Sequence, residues 1–244
     1  MELLKDRIAI ITGGTGALGR AVSEHFLAHG AKVAVPYIID AEVPLFHQKM
    51  GGRFAAANTH LGKVDVGDEG QIAAFVGEVE KKWGRVDILI NLVGGFWGFK
   101  TVAETTQAEW QAMFDINLKP TFLCCRAVVP VMQKNKYGRI VSVSSRTGLT
   151  GAGEFAAYAI TKGAIKTFTA SLAEEVLNDN VLVNAIAPST IDTEANRKAM
   201  PKAMPKAKHE NWVKPEDIAR TLAFLCSDQN QVTSGAVIPV YGRA

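Results

Sequence analysis

Apolar positions in this chain fall into short continuous runs, and the stretches between them carry helical spacing. Residues 8–11 and Lys32–Tyr37 are two such runs. Between them Leu18, Val22, Phe26 and Leu27 mark one face of a helix over 18–29, which Gly30 ends. The stretch 38–59 is less regular, with a short helix around 45–50 and a glycine break, and 61–66 reads as a third strand. Asp68 caps a helix to about residue 83 with Ile72, Phe75, Val76 and Val79 as its apolar stripe, and 86–93 is a fourth strand. Thr106 or a neighbour caps a helix to about 117. Helical character resumes over 119–133, where Pro120 either kinks the segment or sits in the first turn of a second helix. Strand 139–143, helix 154–177, strand 181–186, helix 215–225 and strand 236–240 complete the pattern. Runs apolar on both faces, alternating with helices of this length, predict one α/β domain. Its core is a doubly wound, mostly parallel seven-stranded sheet with helices on both faces.

One stretch departs from that pattern. Residues 188–212 contain the near-duplicate KAMPKAMPKAK, and Pro201 and Pro205 keep any helix there short. A surface excursion or lid over about 189–212 is expected. No polar linker divides the chain, so a single domain over 1–244 is expected.

Composition narrows the partners. With 244 residues, 48 % of them hydrophobic, the chain can bury a large core. A net charge of +3 is too mild to predict a nucleic-acid or membrane partner. Cys124, Cys125 and Cys226 form neither a metal-binding spacing nor a disulfide framework, and read as buried thiols of a reducing compartment. Signal-peptide architecture and a membrane-length apolar run are both missing, so a cytoplasmic protein is expected. The five His are scattered, and His25 and His29 lack an acid at metalloprotease positions, so no metal site is predicted.

Two stretches carry chemistry. TGGTGALGR stands between the first strand and the first helix, where Gly13, Gly14 and Gly16 form either a bare tight turn or a cradle for a diphosphate at the helix N-terminus. The Lys-Ser/Thr ending of an ATP-binding P-loop is missing. The second stretch, SRTGLTGAGEFAAYAITK, supplies the Ser145 hydroxyl at the end of an apolar run, then Tyr158, then Lys162 one helical turn later. Tyr158 and Lys162 would leave one helix face together. A phenol titrates near pH ~10, and a neighbouring cation favours its ionised form, bringing it into range for proton transfer. A Tyr-x-x-x-Lys spacing also occurs on ordinary helix surfaces. Ser144 competes with Ser145, although the spacing to Tyr158 favours Ser145.

Taken together, these motifs resemble the short-chain dehydrogenase/reductase family over essentially the whole length. The family's TGxxxGxG motif is matched by Thr12, Gly13 and Gly19, with Ala17 at the middle glycine. Asp65 and Val66 match its adenine-binding pair, and its NNAG motif stands as Asn91-Leu92-Val93-Gly94. Asn117, Ser145, Tyr158 and Lys162 match its catalytic set. Its PG…T segment stands as Pro188-Ser189-Thr190-Ile191-Asp192-Thr193, and its terminal glycine pair as Tyr241-Gly242. The resemblance implies a Rossmann-type sheet, a dinucleotide-binding half over about 1–145 and a catalytic and substrate-binding part over about 145–244. It implies catalysis by Asn117, Ser145, Tyr158 and Lys162. The implied cofactor site is Gly13, Thr15, Gly16, Leu18, Gly19, Tyr37, Asp65, Val66, Asn91, Tyr158, Lys162, Pro188, Ile191 and Thr193.

The cofactor implied is NAD or NADP, with NAD slightly favoured. Tyr37, at the deciding position, is neither acidic nor basic, and Gly16 replaces a base that many NADP-preferring members carry. Asp40 reads either as a ribose acceptor or as a solvated acid, and Arg20 as a phosphate ligand or a first-turn surface residue. The implied reaction moves a hydride between nicotinamide C4 and a carbonyl or secondary alcohol, with Tyr158 as acid/base and Asn117 positioning a water towards Lys162. The alternatives are a 3-oxoacyl-thioester reductase of lipid synthesis and a catalytically silent dinucleotide-binding regulatory protein. Phe96, Trp97 and Phe99, with Leu149, Phe155 and the segment 200–204, suggest a small apolar or aromatic carbonyl or alcohol substrate. Lysines of the 189–212 stretch leave an acyl thioester open. Family members pair through the helices matching 106–133 and 154–177, so a homotetramer or homodimer is expected.

Overall fold

The computed structural model describes residues 2–96, 99–199 and 209–243. Its seven strands are β1 (Ile8–Thr12), β2 (Lys32–Tyr37), β3 (Thr59–Lys63), β4 (Ile88–Asn91), β5 (Gly138–Val143), β6 (Val181–Pro188) and β7 (Val237–Val240). They pair in the order β3-β2-β1-β4-β5-β6-β7, and every pairing is parallel. The α-helices among the described residues are α1 (Ala17–Ala28), α2 (Glu42–Met50), α3 (Glu69–Trp83), α4 (Gln107–Asn117), α5 (Lys119–Asn135), α6 (Arg146–Thr150), α7 (Ala156–Glu175), α8 (Glu194–Ala199) and α9 (Pro215–Cys226).

Side-chain alternation divides the core in two. Ala9, Ile11, Val33, Val35 and Ile90 turn to the face covered by α1, α2 and α9, against Val22, Phe26, Phe46 and Leu222. Ile8, Ile10, Ala34, Leu89 and Ile140 turn to the other face, against Phe75 and Val79 of α3, Leu123 and Val128 of α5 and Leu172 of α7. The central strands β1 and β4 are therefore buried along their whole length and apolar up to their last residues, Thr12 and Asn91, as a sheet covered on both faces requires.

The third strand lies earlier than its apolar pattern suggests. The pattern points to 61–66, but β3 is Thr59–Lys63, with Tyr37 opposite Lys63. Gly62 lies under the Phe75 ring, where a Cβ would stand 2.7 Å from Cε2. Asp65 and Val66 have left the sheet, and Asp65 turns the chain by accepting from the Gly67 N–H at 2.8 Å. The helix expected over 154–177 is shorter, α7, and α6 before it was not predicted. Pro120 sits in the first turn of a separate helix, α5, where its missing N–H costs nothing. Thr106 and Glu109 form a reciprocal capping box on α4.

The chain winds outward from β1 through β2 to β3, then returns to the other side of β1 and winds outward again. Beyond the carboxyl ends of β1 and β4 the connections diverge. In an open parallel sheet that divergence opens a ligand crevice.

Candidate active site

At the end of β1 the chain turns sharply. Gly13 has φ +65°, a left-handed conformation that a side chain would strain. At Gly19 a Cβ would stand 2.5 Å from Gly14 Cα and closer still to the Gly13 carbonyl oxygen. The Thr12 hydroxyl ties the turn to the β4 exit by accepting from the N–H groups of Leu92 (3.2 Å) and Val93 (3.4 Å). Gly16, the N-cap of α1, supplies no side-chain cap, and the first turn holds no acid. Its leading N–H groups therefore face the cleft as anion donors.

That cleft has a volume of about 740 Å³ and is lined by Gly13, Thr15, Gly16, Leu18, Gly19, Tyr37, Asp65, Val66, Leu92, Val93, Gly94 and Thr193. The α4 end of the wall adds Ala112, Asp115, Ile116 and Lys119. The residues present fit a dinucleotide: a backbone cradle without Cβ atoms at one end, apolar walls, and few charges. Ala17 also lines the cleft, and its methyl is exposed, so it crowds no protein neighbour and meets instead whatever lies over the turn.

The second group converges from β5, α6 and α7. Ser145 ends the β5 connection and caps α6, its Oγ accepting from the Thr147 N–H at 3.2 Å. Its hydroxyl also hydrogen-bonds the Tyr158 phenol. Burial lifts the Tyr158 phenol above its ordinary value, and the bond to Ser145 offsets part of that rise. The buried Lys162 donates from Nζ to the Val143 carbonyl at 2.9 Å, and desolvation brings its ammonium down to about 8. Ser144 is occupied elsewhere, donating to the Lys162 carbonyl at 2.6 Å. Asn117 is fully buried, and its Oδ1 accepts from the Gly95 N–H at 3.1 Å. A Cβ on Gly94 would stand 2.8 Å from Asn117 Oδ1 and 3.0 Å from Lys162 Nζ, so an amide, an ammonium and the cleft wall meet at one glycine.

Residues matched to the cofactor site divide by placement. Asn91 lies inside the sheet, 3 % exposed, with Nδ2 donating to Ser142 Oγ at 3.1 Å, and the next three residues line the cleft in its place. Pro188 closes β6, and Ile191 forms a parallel bridge to Val213. Thr193 serves in two ways: it lines the cleft, and its hydroxyl accepts from the Asn196 N–H at 3.2 Å at the start of α8. Asp40 pairs with Lys63 and does not line the cleft. Arg20 donates to the Thr15 carbonyl at 2.7 Å. At one departure from the family pattern, the Ser189 hydroxyl donates to the backbone carbonyl of Tyr241 at 2.8 Å.

Three features escaped the sequence reading. Lys119 is a cation on the cleft wall that the sequence did not single out. Glu42, in the first turn of α2, lines the cleft and accepts from the Thr15 hydroxyl at 2.6 Å. Gly148 brings α6 onto α7 so closely that a Cβ would stand 2.7 Å from the Lys162 carbonyl carbon. The single available signal was the glycine in SRTGLTG, which reads equally as a loop.

Aromatic side chains stand beside Tyr158. Phe96 meets its ring edge-on at 5.0 Å and stacks on Phe155 at 5.3 Å, and Phe99 meets Phe155 at 5.2 Å. Trp97 and the segment 200–204 lie outside the described residues.

Comparisons with known proteins agree with this architecture. A family model described as enoyl-(acyl carrier protein) reductase matches residues 14–242. The hydroxy(phenyl)methylsuccinyl-CoA dehydrogenase subunit BbsD of Thauera aromatica is 32 % identical, covering 98 % of this chain and 96 % of that protein. The 3-oxoacyl-acyl-carrier-protein reductase FabG of Thermotoga maritima is 30 % identical, covering 98 % of each. Levodione reductase superposes with a TM-score of 0.90 at 27 % identity, over 98 % of this chain and 97 % of that one. ElxO with NADP bound superposes with a TM-score of 0.90 at 26 % identity, over 97 % and 98 %. The chain belongs to the short-chain dehydrogenase/reductase family, and it is an NAD(P)-dependent oxidoreductase.

Proposed function

We propose that this oxidoreductase interconverts a ring-bearing or otherwise apolar ketone and its secondary alcohol, with Tyr158 as the acid/base. The observation that carries the substrate class is the aromatic group Phe96, Phe99 and Phe155 against the Tyr158 ring. A flat apolar substrate gains both burial and edge-to-face contact on such a wall. The bound nicotinamide supplies the hydride. In the reductive direction, Tyr158 gives its proton to the substrate oxygen, while Ser145 donates a hydrogen bond that holds that oxygen and stabilises its growing charge. Lys162 supplies positive charge from the Gly94 side of the site, while burial and the Ser145 bond set the phenol's shift, and Asn117 fixes the Gly94–Gly95 wall and a water path to Lys162. Backbone at the glycine turn and α1 N-terminus holds the diphosphate, with Asp65 and Val66 at the adenine and Thr193 at the carboxamide. On this reading residues up to about 145 bind the dinucleotide, and those beyond carry catalysis and substrate binding.

A second reading, reduction of a 3-oxoacyl thioester, is supported by the FabG relatives. A panel of cyclic ketones, aromatic ketones, 3-oxoacyl thioesters and the matching alcohols, followed by nicotinamide absorbance with each cofactor, separates the two. Highest kcat/KM on ring-bearing ketones is expected. Turnover confined to thioesters replaces the substrate assignment.

Assembly as a homotetramer or homodimer through α4, α5 and α7 is part of the proposal. Trp110, Phe122 and Ile160 leave large apolar surface exposed on these helices. No helix among the described residues is long and apolar enough to cross a membrane, and we place the protein in the cytoplasm.

A further inference from the structure

The geometry points to Glu42 as the residue that makes this enzyme select NAD(H) over NADP(H), an inference that rests on the dinucleotide reading above. In doubly wound sheets the adenosine ribose lies at the end of the second strand. An acid there accepts from the ribose hydroxyls, and a base accommodates a 2′-phosphate. Here β2 ends in Tyr37, whose neutral phenol neither repels nor pairs with a 2′-phosphate as a charged group would. The carboxylate comes from the next element instead. Glu42 opens α2, lines the cleft beside Tyr37, Ile38 and Ile39, and is pinned to the glycine turn by the 2.6 Å bond from Thr15 Oγ1. It therefore stands between the strand end and the diphosphate cradle, where the ribose must pass.

The surrounding charges reinforce the selection. Arg20, the cation nearest the glycine turn in sequence, donates to the Thr15 carbonyl, and Lys63, opposite Tyr37, is paired with Asp40 outside the cleft lining. Among the described residues, the charged groups lining this end are Glu42 and Asp65, both acidic. The cleft's lysine, Lys119, is the first residue of α5, on the wall beside α4. A 2′-phosphate brings a charge of about −1.5 to −2 at neutral pH. A fixed carboxylate in a partly desolvated cleft repels that charge, while it can accept from an unmodified ribose hydroxyl.

The test is equilibrium binding to the full chain, read by nicotinamide fluorescence for NADH and NADPH. Competition by AMP and by adenosine 2′-monophosphate gives a second readout that needs no turnover. Wild-type protein should bind NADH roughly 10- to 100-fold tighter than NADPH, with AMP favoured over its 2′-phosphate isomer in the same sense. Glu42→Gln keeps an oxygen that can accept from Thr15 but removes the charge. Glu42→Ala removes both. Both variants should bring the ratio to within a few-fold of unity, chiefly by tightening NADPH. A wild-type preference for NADPH, or an unchanged ratio in Glu42→Gln, overturns the assignment to Glu42 while leaving the dinucleotide site standing. Failure of both dinucleotides to bind overturns the site and this inference together.

Discussion

At the β1 end of the cleft nearly every contribution is backbone, whereas at the β5 end it is side chain. The first end is shaped by missing atoms: Gly13 turns left-handed and Gly19 leaves room for the Gly13 carbonyl. The second end holds titratable atoms that are buried, with the Tyr158 phenol lifted and the Lys162 ammonium lowered. The turn itself is sensitive to shape and the β5 group to charge, with the Glu42 carboxylate the charged exception beside the turn. Glycines occur at both, but Gly148 serves packing between helices rather than contact with a ligand.

The largest effect among the shape changes is expected at Gly19. Gly19→Ala forces a methyl into the backbone of Gly13 and Gly14, costing about 1–3 kcal/mol of stability and weakening dinucleotide binding by about 100-fold. Nicotinamide fluorescence titration beside a melting curve measures both, and wild-type affinity in this variant breaks the contrast. Next comes Gly148→Ala, which must push α6 from the Lys162 backbone. Because Ser145 caps α6, kcat should fall by about 10-fold with dinucleotide affinity little changed. Equal losses in kcat and cofactor affinity would mean that the two ends are not separable.

The smallest effect lies in pH dependence. Lys162 titrates at about 8 when folded, against 10.5 for an ordinary lysine. Between those values the unfolded chain binds a proton that the folded chain has released, so this residue makes stability rise with pH across the window. Below about 8 both states are protonated and it adds no slope. Melting temperatures from neutral to alkaline pH should show this rise in the wild type relative to Lys162→Met. A constant difference between the two proteins contradicts the buried, lowered ammonium.

The same contrast explains what the sequence made legible. Motif glycines and the Ser145, Tyr158 and Lys162 spacing announced themselves because their chemistry demands particular residues at particular intervals. Strands β1, β2 and β5 were legible because both their faces are covered. β3 was displaced in the reading because Val64 and Val66 prolong the apolar pattern, although Val66 is buried in the turn beyond the sheet. Glu42 was silent because only folding brings α2 against Thr15, a contact 27 residues apart in sequence. The Ser189 bond to the Tyr241 backbone carbonyl was hidden for the same reason, spanning 52 residues.

On the proposed mechanism the Tyr158 phenol moves the proton while the cleft independently holds the dinucleotide. Measuring single-turnover reduction of the best ketone by Tyr158→Phe, beside NADH titration of the same sample, tests it most directly. Loss of the hydroxyl should slow reduction by about 10²- to 10⁴-fold and leave NADH affinity within a few-fold of wild type. Reduction at the wild-type rate by the phenylalanine variant would contradict the account.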